Sequence, residues 1–367
     1  MDFRSPNITA AVQQQIIWIA SELASRGHEV YIIRRWMKKP LYESYNNLYL
    51  VNIDQSFPFV TKTRREDTLN FIETISHFIV YLLYCIKTLI VIRKIRPDVV
   101  NISSLLVGFF IANKGKPRNV FITHGHDIFV HDTPYKTIKK MMLNRTLKNC
   151  DAIIALTQNI KKYLNYYGFN VSEVIPNAIN TKDYKNGKDG NYILYSGRIV
   201  KHKKVDELIK VFSEIKLNSM ELHIVGEGPE KKRLKKLVDG SAVKNKIKFF
   251  PYLSRQDYLK FLSECSIFVL PSITEAFGVV IIEAMASGKV VLARNIIGPA
   301  DIINHSNDGF LFNDEKDFYS YLSLLIKDKN LRELIGKNAQ TTVNQKYSLC
   351  SVADKYSNFY KSILRSK

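Results

Sequence analysis

The chain has 367 residues, a net charge of +20, 46% apolar side chains and 24% charged ones. That balance excludes a disordered chain and predicts two domains, each with its own core. Four widely spaced cysteines, Cys85, Cys150, Cys265 and Cys350, contain no Cys-x-x-Cys pair. They exclude a zinc ribbon or redox pair and read as small core residues. No apolar segment of the signal-peptide kind follows Arg4, and the longest apolar stretch, residues 78–95, is interrupted by Lys87, Arg93 and Lys94. A buried or interfacial helix is expected there rather than a membrane span. The charge excess is shared evenly: 24 basic against 14 acidic side chains through Asp183, and 30 against 20 after it. Nucleic acid, an anionic membrane surface and a small phosphorylated ligand would each suit such a chain. The diffuse charge and the lack of any aromatic-basic reader motif argue against nucleic acid.

In chain order, residues 12–26 read as an amphipathic helix ending at Gly27, 29–33 and 48–53 as strands, and 68–94 as a long helix. Short β-branched runs at 98–102, 119–123, 152–156 and 172–175 predict further strands. Residues 181–191 lack apolar periodicity and read as a linker. The grammar then restarts, with strands at 192–196, 221–225, 247–250, 267–270 and 290–293 and helices at 205–216, 230–238, 256–265 and 278–287. Helices finish the chain from Lys316 onward. Strand and helix in alternation predict an α/β protein with two Rossmann-like doubly wound domains facing a central cleft. The expected division is an N-terminal domain at 1–180, the linker at 181–191, a C-terminal domain at 192–345, and a last helix at 346–367 crossing back to the N-terminal domain.

The most informative segment runs from Pro271 through Glu275, Phe277, Gly278, Val279, Val280 and Glu283 to Gly288. A strand ends, a loop carries Glu275, and a helix begins near Gly278. The unpaired backbone N–H groups of Gly278 to Val280 form an anion site favoured by the helix dipole. Gly278 lets a phosphate come close to the backbone. Glu283 lies inside an otherwise apolar helix and needs hydrogen-bond donors, which sugar hydroxyls would supply. A second segment places Gly197, Arg198 and Lys203 directly after a strand, where two cations could neutralise a leaving diphosphate.

These motifs resemble the retaining glycosyltransferases of the GT-B fold, family 4. Glu275 and Glu283 match the family's Glu-x7-Glu pair, and Gly197, Arg198 and Lys203 match its Gly-Arg…Lys loop. The segment Leu222 to Pro229, with Gly226 and Gly228, resembles its strand and glycine turn beside the base pocket. Pro176-Asn177-Ala178 resembles its Pro-Asn-Gly segment, and Thr123 to Asp127 its histidine loop. The resemblance implies that Arg198 and Lys203 bind the donor diphosphate, that Glu283 takes the ribose hydroxyls, and that Glu275 holds the transferred sugar. His124 would sit over sugar and acceptor, with His126 a competitor for that position. The donor would be a nucleotide diphosphate sugar, UDP before GDP, and the acceptor a glycan or lipid-linked glycan, as in cell-envelope polysaccharide or glycolipid synthesis. A protein of the same fold that binds sugar nucleotide without turnover is the alternative.

No carboxylate pair claims separate nucleophile and acid roles, so double displacement is unsupported and front-face retention is expected. No Asp-x-Asp motif occurs, so no metal and no cofactor are expected. The chain departs from the family pattern at several places. Ala10-Ala11 stand where it has Gly-Gly, and Met1 to Arg4 leave little room for its first strand, which predicts a start upstream of Met1. Lys204 and Ala178 replace glycines, Ile297-Gly298 replaces Gly-Gly, and Asp301 stands where Glu is usual. The cationic and apolar mix of residues 61–65 and 71–94 predicts peripheral attachment to anionic lipid at the inner face of the cell membrane.

Overall fold

A computed structural model of the protein describes residues 9–35, 42–53, 71–124, 136–215 and 220–366. The chain divides into two compact units. The first comprises Met1–Leu156, Lys161–Ile175 and Ala353–Lys367, and the second Thr157–Ile160 and Pro176–Val352.

In the first unit, helix α1 (Thr9–Ser25) leads into strand β1 (Val30–Arg35), then β2 (Tyr42–Tyr45) and β3 (Leu48–Ile53). β1 and β3 are parallel, and β2 pairs antiparallel on the far side of β3. Ala20 and Ala24 of α1 pack with Leu48 and Leu50, and Val30 and Ile32 complete this small core. Helix α2 (Phe71–Ile95) is followed by β4 (Val99–Ile102), α3 (Leu105–Ile111), β5 (Arg118–Ile122), α4 (Lys136–Asn149), β6 (Ala152–Ala155), α5 (Gln158–Tyr166) and β7 (Glu173–Val174). β4 to β7 pair in sequence order, all parallel, and β6 is buried along its whole length, as a strand covered on both faces must be. Asp151 fastens the start of β5, accepting from the Asn119 N–H at 2.8 Å and from Arg118 Nη1 at 3.2 Å. Among the described residues the strands of this unit form two sheets, β1-β3-β2 and β4-β5-β6-β7.

The second unit carries β8 (Tyr192–Ser196), α6 (Val205–Glu214), β9 (Glu221–Val225), α7 (Lys231–Asp239), β10 (Ile247–Phe250), α8 (Arg255–Glu264), β11 (Ile267–Leu270), α9 (Val279–Ala286), β12 (Val290–Arg294), α10 (Pro299–Ile302) and β13 (Phe310–Phe312). Helices α11 (Glu315–Lys327) and α12 (Lys329–Lys346) follow, and α13 (Leu349–Arg365) starts in this unit but belongs to the first from Ala353 onward. Its six strands are all parallel in the order β10-β9-β8-β11-β12-β13. The chain winds outward from β8 to β10, returns, and winds outward again from β11. The order therefore reverses between β8 and β11, and a ligand of such a sheet binds beyond the carboxyl ends of those two strands.

Residues 181–191, read from sequence as a linker, are fastened to the second unit throughout. Tyr184 is buried. The N–H groups of Gly187 and Gly190 donate to the carbonyls of Ser263 and Glu264 at 2.9 and 2.7 Å. Lys289, a buried lysine, donates to Asn186 Oδ1 at 2.8 Å, and Arg332 donates to Asp189 at 2.9 Å. The missing periodicity reflects polar anchoring of an extended segment, not freedom from the core. Of the cysteines, Cys85, Cys150 and Cys265 are buried and Cys350 is exposed.

Candidate functional site

The reversal point of the second sheet brings Lys203 and Glu275 together. β8 runs out into Gly197-Arg198, whose position is set from below: the buried Tyr195 hydroxyl donates to the Arg198 carbonyl at 2.8 Å. Arg198 is exposed and makes no ion pair among the described residues. A single helical turn at Lys201–Lys203 then turns the chain into α6. Lys203 Nζ reaches Glu275 Oε2 at 2.5 Å, both side chains being mostly buried. The Ile273 N–H donates to the His202 carbonyl at 3.0 Å, which ties the loop after β11 to the loop after β8. Lys203 and Glu275 thus meet at the edge where the sheet order predicts a ligand.

Lys204 explains one departure from the family pattern. Its backbone is left-handed, φ 51° and ψ 39°, a conformation that glycine adopts without a Cβ clash. Lys204→Gly is expected to raise stability by about 0.5 kcal/mol, the relief of strain being partly offset by the freer unfolded chain. Urea denaturation of the variant beside the wild type checks this.

Gly278 caps helix α9 at φ 96°, where a Cβ would lie 2.9 Å from Ile281 Cδ1. The N–H groups of Val279 and Val280 open the helix toward the same edge and have no carbonyl one turn earlier to bond. The Phe277 side chain is buried with its ring edge-on to Tyr347, so any ligand meets this residue through its backbone. Gly298, of which sequence reasoning saw only that a neighbouring glycine was missing, supports the Glu275 loop. It sits at φ 95°, and a Cβ there would lie 2.7 Å from the Glu275 carbonyl oxygen and 2.9 Å from that of Phe277.

Gly226 and Gly228 have a packing reason of their own. A Cβ on Gly226 would fall 1.9 Å from the Gly197 carbonyl oxygen, and one on Gly228 would fall 2.1 Å from that of Ile199. The Ile199 N–H donates to the Glu227 carbonyl at 2.9 Å. The two glycines let the turn after β9 lie directly on the loop bearing Arg198.

Glu283 differs from expectation. Its carboxylate is buried, and the protein itself supplies the donors that sugar hydroxyls were expected to give. Tyr184 Oη and Arg255 Nη1 donate to Oε1 at 2.7 and 2.8 Å, and Tyr258 Oη donates to Oε2 at 2.9 Å. Arg255 Nη2 also donates to Tyr184 Oη at 2.6 Å. Burial, and then the charge of Glu283, push both tyrosine hydroxyls well above their usual range, so both stay donors. Burial works against the Arg255 charge, but Glu283 and Tyr184 more than offset it and its pKa is raised. Sequence reasoning missed Tyr184, Arg255 and Tyr258.

His124 lies in the first unit, two residues beyond β5. Its Nε2 is buried with no partner among the described residues, and burial pulls its pKa from 6.5 down to about 4. The ring is therefore neutral at pH 7. An unfolded chain takes up a proton at this ring below its ordinary pKa while the folded one does not, so stability falls as pH drops from 6.5 toward 4. The loss is expected to reach about 3 kcal/mol. His124→Gln should flatten the urea midpoint over that window. His126 lies outside the described residues, and among those described no group of three His, Cys, Asp or Glu side chains could hold a metal ion.

The family model for glycosyl transferases group 1 matches residues 177–342, and that for glycosyltransferase family 4 matches residues 12–183. The uncharacterized glycosyltransferase MJ1607 of Methanocaldococcus jannaschii is 24% identical over 97% of this chain and 95% of its own length. For two other relatives the match spans 66% of their length. Among solved structures, the sucrose-phosphate synthase of Thermosynechococcus elongatus superposes with a TM-score of 0.81 at 19% identity, covering 99% of this chain and 95% of that one. Anabaena HepE in complex with UDP and glucose does so with a TM-score of 0.70 at 17% identity, covering 98% and 97%.

Proposed function

We propose that this chain, which belongs to the family 4 glycosyltransferases of the GT-B fold, moves a hexose from a nucleotide diphosphate sugar to a glycan or lipid-linked acceptor with retention. The observation carrying this reading is the meeting of Lys203, Glu275 and the start of α9 at the strand-order reversal, with Arg198 exposed on the loop just before Lys203. Arg198 and Lys203 take the diphosphate, and the open N–H groups of Val279 and Val280 add partial positive charge without a metal. Glu275 turns from Lys203 to the hydroxyls of the transferred sugar. The donor phosphate accepts the proton of the incoming hydroxyl on the face from which it departs, so the anomeric configuration is kept. His124, neutral at pH 7, can donate or accept a hydrogen bond. The capture of UDP by HepE supports UDP as the donor base, with GDP as the alternative. A panel of UDP- and GDP-sugars scored by released nucleotide diphosphate tests the reading. Tight binding without release from any donor would favour the non-catalytic alternative.

For the acceptor side we propose an anionic membrane surface. Ile79, Leu83, Ile86 and Ile90 are all exposed on α2, at spacings of four, three and four, which puts them on one stripe of the helix. Lys87, Arg93 and Lys94 are exposed on the same helix. Ile138, Met141 and Lys140 repeat the mixture on α4. An apolar stripe among cations suits lipid headgroups better than water. No described helix is long and apolar enough to cross a membrane. Residues 61–65, the other basis for this expectation, lie outside the described residues. Flotation with anionic vesicles at low salt is expected to carry the protein to the top of the gradient, and its absence there would end the proposal.

A further inference from the structure

Arg255 is the first residue of α8 and follows the carboxyl end of β10, so it belongs to the edge of the sheet where the donor is proposed to bind. A carboxylate has about four acceptor positions. Oε1 of Glu283 already takes two bonds, from Tyr184 and Arg255, and Oε2 takes one, from Tyr258. One position is left. A carboxylate gripping two adjacent hydroxyls needs two, so Glu283 alone cannot receive both hydroxyls of a ribose while its protein partners stay in place.

Arg255 supplies what is missing. Its guanidinium is held by Glu283 and by the Tyr184 hydroxyl, and it lies over the rings of Tyr184 and Tyr258 at 5.2 and 5.8 Å. Two of its five N–H groups are used in those bonds. The side chain is nonetheless 40% exposed, against 9% for Glu283, so Arg255 meets solvent beside a carboxylate that is nearly covered. Held between two rings and two hydrogen bonds, the fork is fixed before any ligand arrives.

We propose that Arg255 is a specificity-determining residue that shares the ribose of the donor with Glu283: the open position on Oε2 accepts one hydroxyl, and one of the N–H groups left on Arg255 donates to the oxygen of the neighbouring one. Tyr184 and Tyr258 are positioning residues that fix this acceptor–donor pair. The inference rests on the nucleotide-sugar reading above and adds the recognition of a vicinal diol by a mixed pair.

The test compares the wild type, Arg255→Gln and Tyr258→Phe with the active ribose donor and its 2′-deoxy and 3′-deoxy analogues. Melting temperatures are recorded for each protein, and Arg255→Lys stands in should Arg255→Gln fail to fold. Lysine keeps the charge without the fork, so it is expected to show the same donor selectivity of loss. Wild type should lose about tenfold or more in kcat/KM with each deoxy donor. Arg255→Gln should lose about tenfold with the ribose donor, chiefly through KM, and only about twofold with one of the deoxy donors, because that donor no longer offers the partner of Arg255. An equal loss with all three donors would overturn the proposal, since Arg255 would then act only by holding Glu283. Failure of the wild type to turn over any donor would instead overturn the glycosyl-transfer reading, and this inference with it.

Discussion

Replacing Lys203 by alanine is expected to lower kcat by about 100- to 1,000-fold, with a much smaller change in the KM for donor. The charge it offers matters most when the bond to the leaving diphosphate breaks, because negative charge then concentrates on the phosphate oxygens. In the free protein that charge is balanced by Glu275 at 2.5 Å, with both side chains largely out of water. Lys203→Ala therefore also leaves Glu275 without its cation, which destabilises the empty site. Lys203→Ala combined with Glu275→Gln should recover part of the lost stability but none of the lost turnover. Steady-state rates and urea midpoints of the two single variants and the double variant separate these effects. Full turnover by Lys203→Ala would remove this lysine from the reaction.

Gly226→Ala is expected to cost about 4 kcal/mol of stability in the second unit. The new Cβ would meet the backbone oxygen of Gly197 at 1.9 Å, and φ there is +147°, so neither the clash nor the backbone relaxes by a rotamer change. The turn after β9 would have to leave the loop that carries Arg198. Denaturant unfolding should show the loss in the absence of any ligand. A variant of normal stability but poor donor affinity would mean that Gly226 serves the ligand and not the packing.

The strands of the second unit were legible because each is a short apolar run bounded by glycine or polar residues, as strands buried on both faces must be. Four of them, β8 to β11, start and stop where the sequence places them. Other elements left weaker marks. α4 is rich in lysine and asparagine, with few apolar positions to show a helical period. α5 is nine residues long, α10 four, and β13 only three. β2 and α3 were also not expected from the sequence.

At the site, Glu275, Gly278 and Glu283 were readable because one strand, one loop and one helix carry them in a row. Arg198 and Lys203 were readable from their place just after a strand. The partners of Glu283 were not, since Tyr184 lies 99 residues from it and Arg255 28. Their meeting depends on how the segment before β8 and the helix between β10 and β11 pack against α9, and no local spacing encodes that. The buried Glu283 carboxylate needs donors, and the protein supplies three of them from Tyr184, Arg255 and Tyr258.

Arg198 and Lys203 of the β8 loop differ in what each gives up when an anion arrives. Lys203 must leave a carboxylate, whereas exposed Arg198 sheds only hydration. First contact with a diffusing diphosphate therefore falls to Arg198 before Lys203, and encounter through a solvent-exposed charge is the step that dissolved ions weaken most. Raising ionic strength should slow capture of dilute donor well before it affects turnover at saturation.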